Sequence, residues 1–108
     1  MTEITIIKSD SKYKGFTCMG HAEYAAEGED IVCAAISVLT INTINSIDEL
    51  TDDEIIVSAD DEEGDLQMYF TDAPSKESIL LMDSLKLGLE TISSQYGEEF
   101  VKVVIQEV

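Results

Sequence analysis

Two runs of helical periodicity, Asp30 to Leu50 and Ser75 to Gly97, divide this chain into short blocks of strand, and that division leaves few folds open. In the first run Asp30 reads as the N-cap, and Ile31, Val32 and Cys33 fill the first turn. Ala34, Ala35, Val38 and Leu39 continue at helical spacing, with Asn42 and Asn45 on a partly polar face. The second run places Pro74 at its opening turn and carries an apolar stripe of Leu81, Met82, Leu85, Leu89 and Ile92. Gly88 inside it costs up to about 1 kcal/mol against alanine, so close packing there is the expected compensation. Gly97 is a natural C-cap.

The blocks between are β-branched and short. EITIIK (3–8) reads as a strand, SDSKYKG as a turn, and Gly15 to Gly20 as a second strand. IIVSA (55–59) and LQMYFT (66–71) make a hairpin around DDEEGD, with Gly64 as the expected positive-φ residue. That acidic turn lacks the glutamate spacing of an EF-hand and reads as a solvated tip. FVKVVIQEV (100–108) is apolar enough for a central strand. The order is β-β-α-β-β-α-β, which predicts an α+β fold: one mixed sheet of about five strands with two packed helices, as a single domain over 1–108.

Composition narrows the chemistry. A net charge of −17 on 108 residues repels phosphate backbones, so no direct nucleic-acid binding is expected. The same charge attracts basic partners and speeds encounter with them. The N-terminus lacks the features of a signal peptide, and no apolar stretch is expected to approach the roughly 20 residues that span a bilayer. The expectation is a cytoplasmic protein, with no membrane partner and its two cysteines reduced.

One stretch holds reactive residue types at close range. Residues 20 to 37 read GHAEYAAEGEDIVCAAIS, with the only histidine, His21, and one of the two cysteines, Cys33. A thiolate attacks carbonyls and a thiol does not, and an ordinary thiol near pKa 8.5 is mostly protonated at neutral pH. The start of a helix favours an anion at Cys33, and a nearby histidine accepts its proton. Strand parity puts Phe16 and Cys18 on one face and Thr17, Met19 and His21 on the other, which separates Cys18 from the histidine. The segment from Ala22, Glu23 and Tyr24 to Gly28 is small and flexible in composition, as a mobile loop over a site would be. Ser37 falls one turn beyond Cys33 on the same face. By themselves these residues favour a packing cysteine with a surface histidine over a catalytic pair. Metal binding is disfavoured, because Cys18, His21 and Cys33 give three ligands on diverging faces.

Gly20-His21-Ala22, followed by Asp30-Ile31-Val32-Cys33-Ala34-Ala35-Ile36-Ser37, resembles the ribosomal-processing cysteine protease (Prp) family, and the likeness runs the length of the chain. The resemblance implies a catalytic dyad of His21 as base and acid with Cys33 as nucleophile, supported by Gly20, Asp30 and Ser37. It implies a homodimer without cofactor or metal. The implied substrate is the N-terminal extension of the twenty-seventh large-subunit ribosomal protein, cut after a pair of phenylalanines. The amides of the helix's first turn, that of Cys33 included, are the expected oxyanion donors. Glu23 departs from the glycine common at that place in the family. A non-catalytic acidic module that binds a basic ribosomal protein is the other reading, and a thiol redox sensor a third.

Overall fold

The computed structural model describes residues 2–20, 29–60 and 65–108, without the side chains of Glu29 and Asp30. Five strands, β1 (Thr2–Ser9), β2 (Lys12–Met19), β3 (Ile55–Asp60), β4 (Asp65–Phe70) and β5 (Val101–Glu107), form one sheet in the order β3-β4-β2-β1-β5. The helices are α1 (Glu29–Leu50) and α2 (Lys76–Tyr96). All pairs are antiparallel except β1 with β5, so the sheet is mixed and the predicted element order holds.

The turn between β1 and β2 is much tighter than predicted. Ser9 pairs with Lys12, and the two residues between them, Asp10 and Ser11, have φ of 52° and 67°. Positive φ at both central positions marks a turn whose twist matches the strands it joins. Tyr13 and Lys14 therefore belong to β2. The expectation of a central β5 is corrected too: it is an edge strand. Its inward Val101 is fully buried, and the Ser93 hydroxyl of α2 donates to the Val101 carbonyl at 3.1 Å, so one neighbouring strand suffices.

One face of the sheet carries the core. Ile4, Ile6, Phe16, Cys18, Met68, Phe70 and Val101 alternate inward, against Val32, Ile36, Ile44 and Ile47 of α1 and Met82, Leu85, Leu89 and Ile92 of α2. Burial of each such aliphatic side chain contributes about 1.5–3 kcal/mol before entropy is counted. The exposed pair Lys86–Glu90, 3.8 Å apart, contributes at most about 0.5 kcal/mol. In a chain this acidic the core, not ion pairing, decides stability.

Two contacts fix how the layers sit. A Cβ on Gly88 would lie 3.0 Å from Leu39 Cδ1, so the glycine allows the close approach of α2 to α1 that its position predicts. Tyr13, buried under the Lys8 ammonium at 4.6 Å from its ring centre, donates its hydroxyl to Asp83 of α2. Burial first, then Asp83, pushes its phenol well above the ordinary range. Helix α2 is capped by Ser75, whose side chain accepts from the Ser78 N–H, and this leaves Pro74 outside the helix it was expected to open. Asp53, three residues beyond α1, accepts from the Ser75 N–H and hydroxyl and from the Ser78 hydroxyl. Those donors hold its carboxyl below the usual range. Gly97 closes the helix with φ 106° and returns its N–H to the Ser93 carbonyl.

Helix α1 corrects a further expectation. Ile31–Leu50 is, by length and composition, apolar enough to cross a membrane. Its apolarity runs around the helix: Val32, Ile36, Ile44 and Ile47 enter the core, while Ile31, Val38 and Ile41 stay exposed.

Candidate active site

Cys33 sits near the start of α1 with its side chain half-buried. The helix begins at Glu29, so Asp30 is inside the first turn and not ahead of it as a cap. This shift changes which amides are available. In the i→i−4 repeat the Cys33 N–H is directed to the Glu29 carbonyl, so it is not a free oxyanion donor as expected from the sequence. The N–H groups of Glu29, Asp30 and Ile31 precede the repeat. A helical side chain leans toward the N-terminus, which brings the Cys33 sulfur over that same turn.

The two cysteines differ chemically, and both are free. Cys18 is buried on the core face of β2, on the opposite side of the strand from exposed Met19, as parity requires. Burial, then the nearby Cys33 and Asp65, pushes its thiol up to about 11. Cys18 is thus protonated at neutral pH and inert as a nucleophile. Cys18 of β2 and Ser37 of α1 line one cleft, so the end of β2 and the first turns of α1 meet at one corner of the fold.

Gly20 belongs to that corner. It has φ 83°, in the region glycine tolerates, and its N–H donates to Asp65 Oδ1 at 3.2 Å. Asp65 thereby fixes the backbone at the residue before His21. His21 itself, with Ala22, Glu23, Tyr24 and Gly28 of the expected loop, lies outside the described residues, as does the Asp30 side chain. Gly64, expected to have positive φ, also lies outside them.

Ser37 is exposed one turn along from Cys33 and lines a cleft of about 250 Å³ between α1 and the β3–β4 hairpin. Cys18, Thr40, Ile41, Ala59, Asp60, Asp65 and Leu66 complete the lining. A half-buried thiol at a helix start, with an open cleft one turn away, suits attack on an extended chain better than on a small enclosed ligand.

The sequence matches the family described as "Cysteine protease Prp" over residues 1–101. The chain belongs to the Prp family of cysteine proteases. Among relatives of this Prp protein, the Ribosomal processing cysteine protease Prp of Bacillus subtilis (strain 168) is 28% identical over 103 residues, covering 91% of this chain and 92% of the relative. Two crystal structures of an essential ribosomal processing protease Prp from S. aureus superpose closely. The one in complex with a substrate peptide gives a TM-score of 0.91 at 26% identity, over 98% of this chain and 100% of that one. The other, with a covalently linked product peptide, gives 0.87 at 27% identity and the same coverage. Family membership makes this protein a cysteine peptidase. Asp65 is the site residue that sequence reasoning misses, because DDEEGD reads as a solvated tip. The signal lies in pairing: Cys18 opposite Leu66 brings Asp65, the residue before it on β4, toward the end of β2.

Proposed function

We propose that this Prp protein is an endopeptidase that removes the N-terminal extension of the twenty-seventh large-subunit ribosomal protein, with Cys33 as nucleophile and His21 as general base and acid. The observation that carries the proposal is Cys33 itself. It is the cysteine of the motif that marks the family, half-buried at a helix start beside an open cleft, whereas Cys18 is buried and its thiol is held protonated.

In the proposed reaction His21 takes the Cys33 proton, and the thiolate attacks the carbonyl carbon of the second phenylalanine. Negative charge on the carbonyl oxygen is stabilised by the N–H groups ahead of Val32 in the first turn of α1. Protonated His21 gives its proton to the leaving amine, leaving a thioester on Cys33. A water that loses its proton to His21 then attacks the thioester, releasing the extension and restoring the thiol. Gly20 sets the direction in which the chain enters His21. Asp30 contributes to the first-turn backbone, and Ser37 lies beside the substrate path. The reaction needs no cofactor or metal, since every proton moves between His21, Cys33, substrate and water. A covalent link to product in the S. aureus relative agrees with this chemistry. The test is mass spectrometry of the extended ribosomal protein after incubation: a new N-terminus directly after the phenylalanine pair supports the proposal, and an uncut or randomly cut chain refutes it.

The protein acts in the cytoplasm, where its thiols stay reduced and its substrate is made. Its charge of −17 disfavours direct contact with nucleic acid or anionic membrane and favours a basic ribosomal protein. It works as a homodimer. Supporting this, Ile31 and Val38 of α1 are 61% and 67% exposed, an apolar strip that a second copy would cover. Sedimentation velocity should show a dimer that Ile31→Glu with Val38→Glu converts to a folded monomer. A wild type that sediments as a monomer at micromolar concentration would sink the dimer.

A further inference from the structure

Strand β3 has one neighbour in the sheet, β4, and its other side is an edge. The ladder fixes which backbone groups face that edge. Thr71 donates its N–H to the Glu54 carbonyl at 3.1 Å, and the register runs without a break from Ile55 opposite Phe70 to Asp60 opposite Asp65. Opposed residues in an antiparallel pair alternate between bonded and unbonded. Ile56 and Ser58 therefore bond to β4, while Ile55, Val57 and Ala59 turn their N–H and C=O groups outward. Among the described residues no other strand pairs with that side.

Exposed edges are normally blunted by lysine, proline or a bulge. Ile55–Asp60 carries none of these. It is instead apolar on both faces. Ile56, on the face of Tyr69, is 60% exposed, and Val57, on the face of the buried Met68, is 45% exposed, so the helix layer stops short of β3. One end of the edge reaches the site, since Ala59 lines the same cleft as Cys18 and Ser37.

Charge selects what pairs there. Ile55 to Ala59 is uncharged, but Asp52, Asp53 and Glu54 precede it and DDEEGD (60–65) follows. A second copy laid antiparallel on the same edge would set the acids before one strand against those after the other, and like charges so opposed are destabilising. An extended chain without that pattern meets no such penalty, and a basic one is attracted at both ends.

We infer that the free edge of β3 takes the polypeptide substrate as a sixth strand, bonded to the N–H and C=O groups of Ile55, Val57 and Ala59 and led past Ser37 toward Cys33. This deepens the endopeptidase proposal and rests on it for the presence of a peptide. The edge reads main chain, and its apolar faces receive alternate side chains of the guest.

The test uses Cys33→Ala, so that binding is read without turnover, and labelled peptides spanning the proposed cut. Each peptide carries one N-methylated residue, which removes one main-chain N–H and keeps the side chain. Fluorescence anisotropy should show binding weakened about fivefold or more at alternate positions of one segment, as loss of single hydrogen bonds provides. Positions between them should stay within about twofold of the unmethylated peptide. On the protein side, Val57→Pro deletes one outward N–H and spares the ladder to β4, as an edge strand allows. It should weaken the unmethylated peptide about fivefold or more, whereas Val57→Thr, which keeps the N–H and the branched shape, should stay within about twofold. Ala59→Pro takes its place where Val57→Pro does not fold. The inference is overturned if no peptide binds, if methylation acts at no position or equally at all, or if the folded proline variant binds as tightly as its parent. Cleavage by the protein with Cys33 intact is scored separately: peptides bound with the alternating pattern but never cut would refute the endopeptidase and leave the edge standing.

Discussion

Cys33→Ala should lower cleavage of the extended ribosomal protein by at least about 10⁴-fold while leaving its binding within twofold of wild type. Loss of a nucleophile removes the covalent route altogether, and what remains is whatever positioning and oxyanion contacts can do. The substitution removes one sulfur from a half-buried position near a helix start, and alanine is the best helix former, so folding should be unaffected. Parallel measurements of kcat/KM and of substrate affinity separate the peptidase from an acidic module that merely holds a basic protein. Such a module would bind equally well with either residue and never cut. Cleavage that persists in the alanine variant would refute Cys33 as nucleophile. Cys18 is no substitute, since its thiol is buried and protonated at neutral pH.

Gly15→Ala should be the most damaging small substitution for stability. A Cβ on Gly15 would lie 2.0 Å from the Met68 carbonyl oxygen and 2.9 Å from the Tyr69 Cα. Both are backbone atoms in the strand paired with β2, so no side chain can turn aside. Relief requires β2 and β4 to part at the centre of the sheet, at a cost of roughly 3 kcal/mol or more. Thermal melting should fall by roughly 10 °C or more. Gly88→Ala is the contrast: there the new methyl meets only the tip of Leu39, and the gain in helix propensity of up to about 1 kcal/mol offsets the crowding. A Gly15→Ala protein that melts within about 2–3 °C of wild type, on the scale of about 4–8 °C per kcal/mol for a small domain, would contradict the described β2–β4 contact.

Residues whose spacing alone sets their environment are legible in the sequence. The α2 stripe is an example: Met82, Leu85, Leu89 and Ile92 are buried, with Leu81 at the margin. Gly88 and Gly97 fall in the same class, one lying close against Leu39 of α1 and one making a positive-φ stop. The strand parity that parts Cys18 from Met19 follows from a period of two. Features set by tertiary contacts are hidden. Asp10 and Ser11 form a two-residue turn without glycine, because the pairing of Ser9 with Lys12 imposes positive φ on them. Local propensity gives no warning of it. The apolar β5 lies at an edge because α2 covers its inward side, and apolarity does not report which neighbour does the covering. Helix α1 starts a residue before its best capping side chain, and that small displacement redirects the Cys33 N–H into the helix. Asp65 escapes notice because its role depends on β4 reaching the end of β2, a pairing between segments more than 40 residues apart.

The central claim, that Cys33 carries the acyl group, is tested most directly by catching it. Wild-type protein mixed with an extended substrate and quenched in acid within the first turnover should gain the mass of the substrate's N-terminal fragment. Digestion should locate that mass on the α1 peptide containing Cys33, and His21→Ala should accumulate far less of it. A modified Cys33 that is lost again as product appears is the predicted result. Cleavage at full rate with no mass added at Cys33, or with the adduct on another residue, would contradict the account.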